Sequence, residues 1–283
     1  MSVMTSTAPT GDAANPVMGP VNFVFLQKHV HQATGIVLDS SKGYLLEARI
    51  APLLGELRID SIDSFCKALT RDPLGLASRR LVDAITTNET LFFRDFATFE
   101  ALRKEMLPEL VEKSAGRKLR IWSAAASSGQ EAYSLAIMLL EMGLTSSQVE
   151  IIGTDISDEI LQKARLGKYV QFEVNRGLPS SLLMKYFDRA GLEWQVKSQV
   201  RQMVTFKQAD LRKLAVNTEK FDLILCRNVL IYFDQETKQQ ILNSLVDSLP
   251  DHGALVLGCA ETLINAKVPL HRRIACQAAF YMK

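Results

Sequence analysis

Hydrophobic residues recur at helical spacing through the first part of the chain. Phe23, Leu26 and Val30 fall three or four residues apart, which is the spacing of one face of an α-helix. Gly35 is placed to end that helix, since glycine is favoured just beyond a helix C-terminus. The same spacing continues, so the pattern predicts an all-helical domain over residues 21–87.

The second helix of this domain has the least regular pattern. It should begin at Ser40 or Ser41 and carry Tyr44, Leu45, Ala48 and Arg49. Pro52 lies inside the same pattern and should kink the helix or restart it, because proline has no N–H to donate. Two further helices are predicted, one capped by Ser61 and one marked by Leu76, Leu81 and Ile85.

Beyond Gly116 the pattern changes to alternating strands and helices. The run Phe221–Cys226 is almost entirely apolar, as expected of a central strand that is buried on both faces. This alternation predicts a mostly parallel sheet with helices on both faces. The predicted strands are 119–123, 150–154, 204–207, 221–226, 254–258 and 274–281, and the predicted helices are 130–141, 158–165 and 235–248.

Composition and polarity indicate where the domains divide. Residues 1–20 are rich in Ala, Thr, Gly and Pro and lack the apolar segment of a secretory signal, so we expect a disordered tail. Asp95 is placed to cap a connecting helix that reaches about Lys113. Residues 168–204 form a polar insertion, in which we expect Leu192–Val204 to form a hairpin. The predicted divisions are a tail at 1–20, a helical domain at 21–87, a linker and connecting helix at 88–115, and a domain at 116–283 that carries the insertion.

Charge and cysteine content exclude several classes of protein. The net charge is +2, without the basic excess that bulk binding to nucleic acid or membranes requires. The chain has no apolar run of about 20 residues that would span or insert into a membrane. The cysteines form no CxxC pair and the histidines form no HExxH pair, so we predict buried thiols in a reducing, cytoplasmic compartment and no metal site. The cysteines are Cys66, Cys226, Cys259 and Cys276.

One strand–turn–helix–strand unit carries the candidate chemistry. A strand that ends at Ser123 is followed by a turn of small residues, Ala124–Gly129, and by a helix from Gln130. Small side chains let a ligand approach the backbone, and a helix start offers N–H groups that lack partners in the helix. Asp155 ends the next strand, where a carboxylate can accept both hydroxyls of a ribose.

The turn is unlike that of a dinucleotide site. It holds Gly129 but no GxGxxG motif, and Glu131 near the helix start would repel a phosphate and attract a cation. A ligand with a ribose, a positive charge and no phosphate therefore fits better than NAD, and S-adenosylmethionine has these three features. The alternative is that Ser127 and Ser128 cap the helix and that Glu131 only favours its dipole.

Three stretches of the chain form distinctive blocks. They are Asn88–Arg94 (NETLFFR), Ser123–Ser134 (SAAASSGQEAYS) and Phe221–Phe233 (FDLILCRNVLIYF). In sequence and in order they resemble signatures of the chemotaxis receptor methyltransferases, the CheR family. The resemblance implies an α/β fold, in which a small all-helical N-terminal domain precedes a Rossmann-like class I methyltransferase domain with an inserted small β-subdomain. It also implies that S-adenosylmethionine is the cofactor, that S-adenosylhomocysteine is a product, and that glutamate side chains of chemotaxis receptors are methylated for sensory adaptation.

The resemblance further implies a set of pocket residues. Arg94 would grip the carboxylate of the cofactor or of the incoming glutamate, because guanidinium forks match carboxylates; its alternative is a surface ion pair with Asp95 or a neighbour. Tyr232 would direct its hydroxyl toward the methyl-transfer site, unless it is a core aromatic whose hydroxyl is already bonded. Asn228 would hold a ribose or a substrate carboxylate, and the alternative is that it only caps the end of the strand. Asp210 would accept from an adenine amino group, and the alternative is that it is only a turn residue. The implied cofactor-binding positions are Asn88, Thr90, Arg94, Glu131, Asp155, Asp210, Leu211, Arg227 and Asn228, and the implied catalytic positions are Arg94 and Tyr232.

Two features of this chain depart from the family pattern. Relatives carry several arginines on the second helix for docking to the receptor, whereas here Arg49, Arg58 and Lys42 are the candidates. The loop within 188–196 is short compared with that of members that tether to a C-terminal receptor pentapeptide. We therefore expect no such tether.

Two other functions remain open at this point. One is an S-adenosylmethionine methyltransferase that acts on another acceptor, such as a small molecule or a nucleic acid, and the near-neutral charge weighs against it. The other is a non-catalytic scaffold that binds S-adenosylmethionine, and the presence of Arg94 and Tyr232 weighs against that. An NAD oxidoreductase is the least favoured, because the glycine-rich loop is missing.

Overall fold

The structure of the chain is a computed structural model that describes residues 18–39, 41, 43–214 and 220–283. The expected tail lies mainly outside the described residues, as do the proposed cap Ser40 and the docking candidate Lys42. None of the helices in these ranges is long and apolar enough to cross a lipid bilayer.

The described residues form two compact units. One comprises the residues up to Val30 together with Leu38–Ile85, and the other comprises His31–Val37 and Thr86–Lys283. Ser61 caps a helix as predicted, since its hydroxyl accepts from the Ser64 N–H at 3.2 Å. The helices in the first 85 residues are α1 (Pro20–Thr34), α2 (Gly43–Leu57), α3 (Ile62–Arg71) and α4 (Leu76–Ile85).

Two of the apolar residues that mark α2 in the sequence are exposed. Tyr44 and Leu45 are 65% and 41% exposed, respectively. The buried face is Leu46, Ile50 and the pair Leu53–Leu54, because these positions repeat at helical spacing over a longer stretch. The helix also runs through Pro52 to its end, so the predicted restart at the proline is wrong.

The second unit is built on a seven-stranded sheet with the order β6-β2-β1-β7-β8-β10-β9. The first five strands in that order are parallel, whereas β10 runs antiparallel to both of its neighbours. The strands of this sheet are β1 (Leu119–Ala124), β2 (Val149–Asp155), β6 (Val204–Gln208), β7 (Leu223–Cys226), β8 (Ala254–Leu257), β9 (His271–Ala275) and β10 (Ala278–Met282).

Alternating residues of the central strands enter two separate hydrophobic clusters. In β7, Leu223 and Leu225 belong to one cluster, whereas Ile224 and Cys226 belong to the other. A strand that is buried on both faces must be apolar at every position, and this explains its unbroken run. The predicted fold class is therefore confirmed. The remaining helices of this unit are α5 (Phe96–Ala101), α6 (Leu107–Lys113), α7 (Gln130–Glu141), α8 (Asp158–Leu166), α9 (Gln171–Asn175), α10 (Ser180–Tyr186), α11 (Ser198–Arg201) and α12 (Gln235–Asp247).

The last predicted strand is two strands. The chain reverses at Cys276 and Gln277, which have φ angles of 41° and 69°, and β9 and β10 pair antiparallel across this turn. Two consecutive left-handed residues make the tight hairpin turn that usually takes Asn or Gly. Because neither residue is present, the turn could not be predicted from the sequence.

The insertion forms a separate three-stranded sheet with the order β3-β5-β4, from Lys168–Val170, Glu193–Val196 and Phe187–Ala190. Its hairpin joins β4 to β5, and Leu192 lies in the turn. The predicted hairpin over 192–204 is wrong, because α11 follows β5 and Val204 begins a strand that pairs with β2 in the main sheet.

Candidate functional site

The site lies where the central parallel strands end. Ala124 at the end of β1 pairs with Thr154 of β2 and with Cys226 of β7. The residues that follow these strands therefore meet at one edge of the sheet, which is the usual ligand site of open α/β folds. Asp155 ends β2, and Arg227 directly follows β7.

All of the site residues predicted from the sequence line one cleft at this edge. They are Asn88, Thr90, Arg94, Glu131, Asp155, Asp210, Leu211, Arg227, Asn228 and Tyr232. Sequence reasoning did not identify several other lining residues, because they are remote in sequence or carry no distinctive chemistry. These include Thr34, Ile36, Thr86, Thr87, Glu89, Ile156, Val229 and Phe233.

The turn after β1 is held by hydrogen bonds rather than by helix capping. The Ser127 N–H donates to Asp155 Oδ2 at 2.9 Å, and the Ser127 hydroxyl donates to the Asn88 carbonyl at 3.1 Å. Helix α7 starts after Gly129, whose φ of 93° suits glycine. The Ser128 hydroxyl bonds the Gln130 side chain, so the interpretation of the two serines as simple helix caps is wrong.

Asp155 is 8% exposed and is fixed by the backbone. Its Oδ2 accepts from the Ser127 N–H, and its Oδ1 accepts from the Ser157 N–H at 3.1 Å. Each carboxylate oxygen can accept more than one hydrogen bond. These two bonds therefore fix the orientation of the carboxylate at the end of β2.

Arg227 occupies the centre of a buried ionic cluster. Its side chain is 2% exposed, and it donates to Glu131 Oε2 at 2.9 Å and to Asp95 Oδ2 at 2.5 Å. Burial alone would lower the pKa of Arg227, but the charges of Glu131 and Asp95 outweigh it and raise that pKa. Arg227 also donates to the Arg94 carbonyl at 2.9 Å, so it fixes the segment that carries Arg94.

This cluster corrects two predictions. Asp95 does not cap the helix that follows it; the residue has a left-handed φ of 61°, and its carboxylate is taken by Arg227. The helix continues to Lys113 but includes a π-helical segment, Leu102–Met106. The carboxylate of Glu131 accepts from Arg227 and, at 2.7 Å, from the Ser123 hydroxyl. Its charge is thus neutralised within the protein rather than directed at a cationic ligand.

Arg94 and Tyr232 keep polar groups available to the cleft. Arg94 donates to the Glu89 carbonyl at 3.1 Å, and the alternative ion pair with Asp95 is wrong, because Asp95 pairs with Arg227. Tyr232 ends a 3₁₀ turn. Across the described ranges, its hydroxyl makes no hydrogen bond to the protein, which argues against a core aromatic with a bonded hydroxyl.

The remaining predicted residues are held in place by neighbouring side chains. Asn228 has a φ of 58°, and its N–H donates to Glu261 Oε2 at 2.8 Å. The Asp210 carboxylate accepts from the Arg212 N–H at 3.0 Å and from its guanidinium, so Asp210 does act as a turn residue. A role toward adenine stays a prediction.

The cysteines only partly match the prediction. Cys66 and Cys226 are buried, and burial raises the pKa of Cys66 to about 11. Cys259 and Cys276 are exposed, so the expectation of four buried thiols is wrong for these two. Both follow the ends of strands, where an apolar run in the sequence does not guarantee burial.

Comparison with known families covers almost the whole chain. Residues 22–86 match the all-alpha domain of the CheR methyltransferases, and residues 88–277 match their SAM binding domain. Chemotaxis protein methyltransferase 1 of Pseudomonas aeruginosa is 41% identical and covers 86% of this chain and 89% of that protein.

Two further relatives give the same result. A chemotaxis protein methyltransferase of Pseudomonas putida is 36% identical over 87% of this chain and 91% of its own length. One of Vibrio parahaemolyticus is 41% identical over 81% of this chain and 84% of its own length. The family resemblance and the choice of S-adenosylmethionine as cofactor are confirmed. The chain belongs to the CheR family of S-adenosylmethionine-dependent chemotaxis methyltransferases.

Proposed function

We propose that this protein transfers the methyl group of S-adenosylmethionine to glutamate side-chain carboxylates of chemotaxis receptors. The products are glutamate methyl esters and S-adenosylhomocysteine. The observation that carries the proposal is a single cleft that is lined by Arg94, Tyr232 and the buried Asp155.

The chemistry of the cleft residues fits the cofactor. Asp155 is an oriented carboxylate at the end of β2, suited to accepting the two hydroxyls of a ribose. Leu211 is 7% exposed and supplies apolar surface, and the neighbouring Asp210 supplies an acceptor. Asn88 and Thr90 add polar groups at the same edge. We assign cofactor binding to these residues and to Asn228.

Glu131 and Arg227 contribute to this site indirectly as well as by lining it. Their ion pair at 2.9 Å is buried, and breaking such a pair leaves an uncompensated charge. Arg227 carries an additional feature, because its Nε is buried and has no partner among the described residues. We assign Arg227 to holding the Arg94 segment, because its Nη2 donates to the Arg94 carbonyl at 2.9 Å.

Arg94 and Tyr232 are the proposed catalytic residues. S-adenosylmethionine, when bound, supplies an electrophilic methyl group on a sulfonium. A glutamate carboxylate is already ionised at neutral pH, so the protein needs no base to activate it. Arg94 would hold the carboxylate by charge-assisted hydrogen bonds, and Tyr232 would fix its approach. Alignment of this kind can lower a barrier by about 7–11 kcal/mol.

The partners are proposed to be the cytoplasmic domains of chemotaxis receptors, with no binding to nucleic acid and no insertion into the membrane. Cytoplasmic localisation follows from that choice of substrate. Arg49 is less suited to docking than its sequence position implies, because its guanidinium donates to the Ala84 carbonyl at 3.2 Å and to that of Ile85. Arg58 is exposed and is the better docking candidate.

A C-terminal receptor pentapeptide is not expected to tether this protein. Gly191 and Leu192 alone connect β4 to β5, so the inserted sheet has a minimal loop at this end. We expect fluorescence or calorimetric titration with such a pentapeptide to give no saturable binding. Low-micromolar affinity would overturn this part of the proposal.

The experiment that tests the function is transfer of labelled methyl from S-adenosylmethionine to bacterial membranes that carry chemotaxis receptors. Carboxyl methyl esters release methanol in mild base, whereas N-methyl groups do not. We expect base-labile label on the receptor band, and membranes without receptors serve as the control. Label that resists mild base, or label absent from every receptor preparation while the cofactor binds, would contradict the acceptor assignment.

A further inference from the structure

Arg212 lies just beyond Asp210 and Leu211 and forms a fork-to-fork ion pair with Asp210. Its Nε donates to Asp210 Oδ1 at 3.0 Å, and its Nη2 donates to Oδ2 at 2.7 Å. The two side chains are only 15% and 16% exposed. Two parallel bonds of this kind fix the plane of the guanidinium, so its other donors point in defined directions.

Those donors reach three consecutive peptide carbonyls. Arg212 Nη1 donates to the carbonyls of His31 and Gln32 at 3.2 Å each, and Nη2 donates to that of Ala33 at 2.7 Å. These carbonyls belong to the last turn of α1. That of His31 also accepts from the Gly35 N–H at 2.7 Å, whereas those of Gln32 and Ala33 lie beyond the last N–H that the helix can supply. A cation at a helix C-terminus also interacts favourably with the helix dipole. Arg212 therefore caps the end of this helix from a segment almost 180 residues away in sequence.

The residues after this cap are packed against the same arginine. Gly35 has a φ of 78°, and a Cβ built there would lie 2.7 Å from Arg212 Cδ and 3.2 Å from the ring of Phe233. Ile36 forms a β-bridge with Phe233, and the Val37 N–H donates to the Tyr232 carbonyl at 2.9 Å. The glycine is therefore required both by its backbone angle and by the close approach of Arg212.

This segment contributes directly to the cleft, because Thr34 and Ile36 line it together with Asp155 and Tyr232. We propose that Arg212 is a positioning residue that fixes Thr34 and Ile36 as one wall of the S-adenosylmethionine site. Cofactor affinity then depends on Arg212 through this wall, without a contact between its side chain and the cofactor. The inference rests on the proposed location of the cofactor site.

The test is calorimetric titration of the full-length chain with S-adenosylhomocysteine. For Arg212→Met we expect the affinity for S-adenosylhomocysteine to fall about tenfold, because the hydrogen bonds that hold Thr34 and Ile36 in place are lost. Turnover at saturating S-adenosylmethionine should stay within about twofold of the parent, since only binding is affected. Lys207→Met, which removes an exposed cation from the neighbouring strand β6, is the matched control and should bind normally.

A second variant reaches the same wall from the opposite side. Gly35→Ala places a Cβ against Arg212 and Phe233, so we expect a similar loss of affinity. Combining it with Arg212→Met should add little, because both changes release the same segment. Thermal melting of each variant establishes that it is folded. A folded Arg212→Met protein that binds within about twofold of the parent, or one that loses turnover while keeping its affinity, would overturn the inference.

Asp155→Asn in the same titration separates this inference from the function on which it rests. If Asp155→Asn weakens binding and Arg212→Met does not, the cofactor site stands and the role of Arg212 fails. If both variants bind normally, the cofactor lies elsewhere and the proposed site fails. If both weaken binding and both remain folded, both proposals are supported.

Discussion

The two ends of the central sheet both bury charged side chains but use them differently. At the amino end of β7, Asp222 is 1% exposed, and its carboxylate is bonded to both Nη atoms of Arg117 and, at 2.9 Å, to the Arg120 N–H. At the carboxyl end, Arg227 is also buried, but it lines an open cleft together with its partner Glu131. At the amino end, the charge of Asp222 is satisfied by hydrogen bonds within the protein. At the carboxyl end, the charged residues line a cleft that a ligand can enter.

One signature stretch of the sequence carries both structural residues and cleft residues. The block Phe221–Phe233 runs from one end of the sheet to the other. Asp222 near its start joins β7 to the residues before β1, whereas Arg227 and Asn228 enter the cleft. Resemblance alone does not separate these roles, but the bonding of each side chain does.

The largest effect is expected for Arg94→Ala. Removing the guanidinium takes away the group proposed to hold the acceptor carboxylate, and the loss of one such group costs about 10²–10³ in turnover. Methyl ester formation on receptor membranes measures this. Arg103→Ala is the matched control, because Arg103 pairs at the surface with Glu100 at 3.2 Å. If Arg94→Ala kept most of its methyl-transfer activity, the catalytic role assigned to Arg94 would be wrong.

A smaller effect is expected for Asp155→Asn. Loss of the carboxylate charge weakens hydrogen bonds from ribose hydroxyls, and such charged bonds are worth about 1.5–3 kcal/mol, or about 10–100-fold in affinity. Calorimetry with S-adenosylhomocysteine gives the value. Asp158→Asn serves as control, since Asp158 lies three residues further on and is about half exposed. Equal affinities for the two variants would contradict the assignment.

Asp222→Ala should affect stability instead of binding. The change leaves the Arg120 N–H without its acceptor and releases Arg117, which we expect to lower the free energy of unfolding by about 2 kcal/mol. Urea denaturation measures the loss, and Asp251→Ala, an exposed change at the same end of the sheet, is the control. If the folded Asp222 variant lost cofactor affinity while keeping its stability, the two ends would not differ in the way we describe.

The smallest expected effect is the pH dependence of the contribution that Asp222 makes to the free energy of unfolding. Burial tends to raise the pKa of Asp222, but the bonds from Arg117 and from the Arg120 N–H outweigh it and lower that pKa. A lowered pKa stabilises the fold above the ordinary aspartate value of about 4 and ceases to do so as the pH falls through the folded value. The stability difference between the parent and Asp222→Ala should therefore be constant near neutrality and shrink in acid. A difference that grows in acid would contradict this.

Features set by neighbouring residues were predictable from the sequence. The bounds of α7 match the prediction, because its apolar positions and the glycine before it are local signals. The strand ends at Asp155 and Cys226 were also predictable, since they follow from apolar runs. These strand ends position the cleft, and so its central residues could be named in advance.

Features that depend on distant partners were not predictable. Asp95 has the sequence context of a helix cap, but Arg227, far along the chain, takes its carboxylate. Thr34 and Ile36 enter the cleft because Arg212 holds the end of α1, and no spacing in the sequence relates these residues. The position of each depends on packing that forms only when the sheet is assembled.

Hydrogen–deuterium exchange of the protein with and without saturating S-adenosylhomocysteine shows which end of the sheet binds the cofactor. We predict slower exchange in the turn 125–129 and in 227–229, at the carboxyl ends of β1 and β7. Exchange in 117–120 and 250–253, at the amino ends of β1 and β8, should be unchanged. Protection at the amino ends, or none in the turn 125–129 under saturating conditions, would contradict the account.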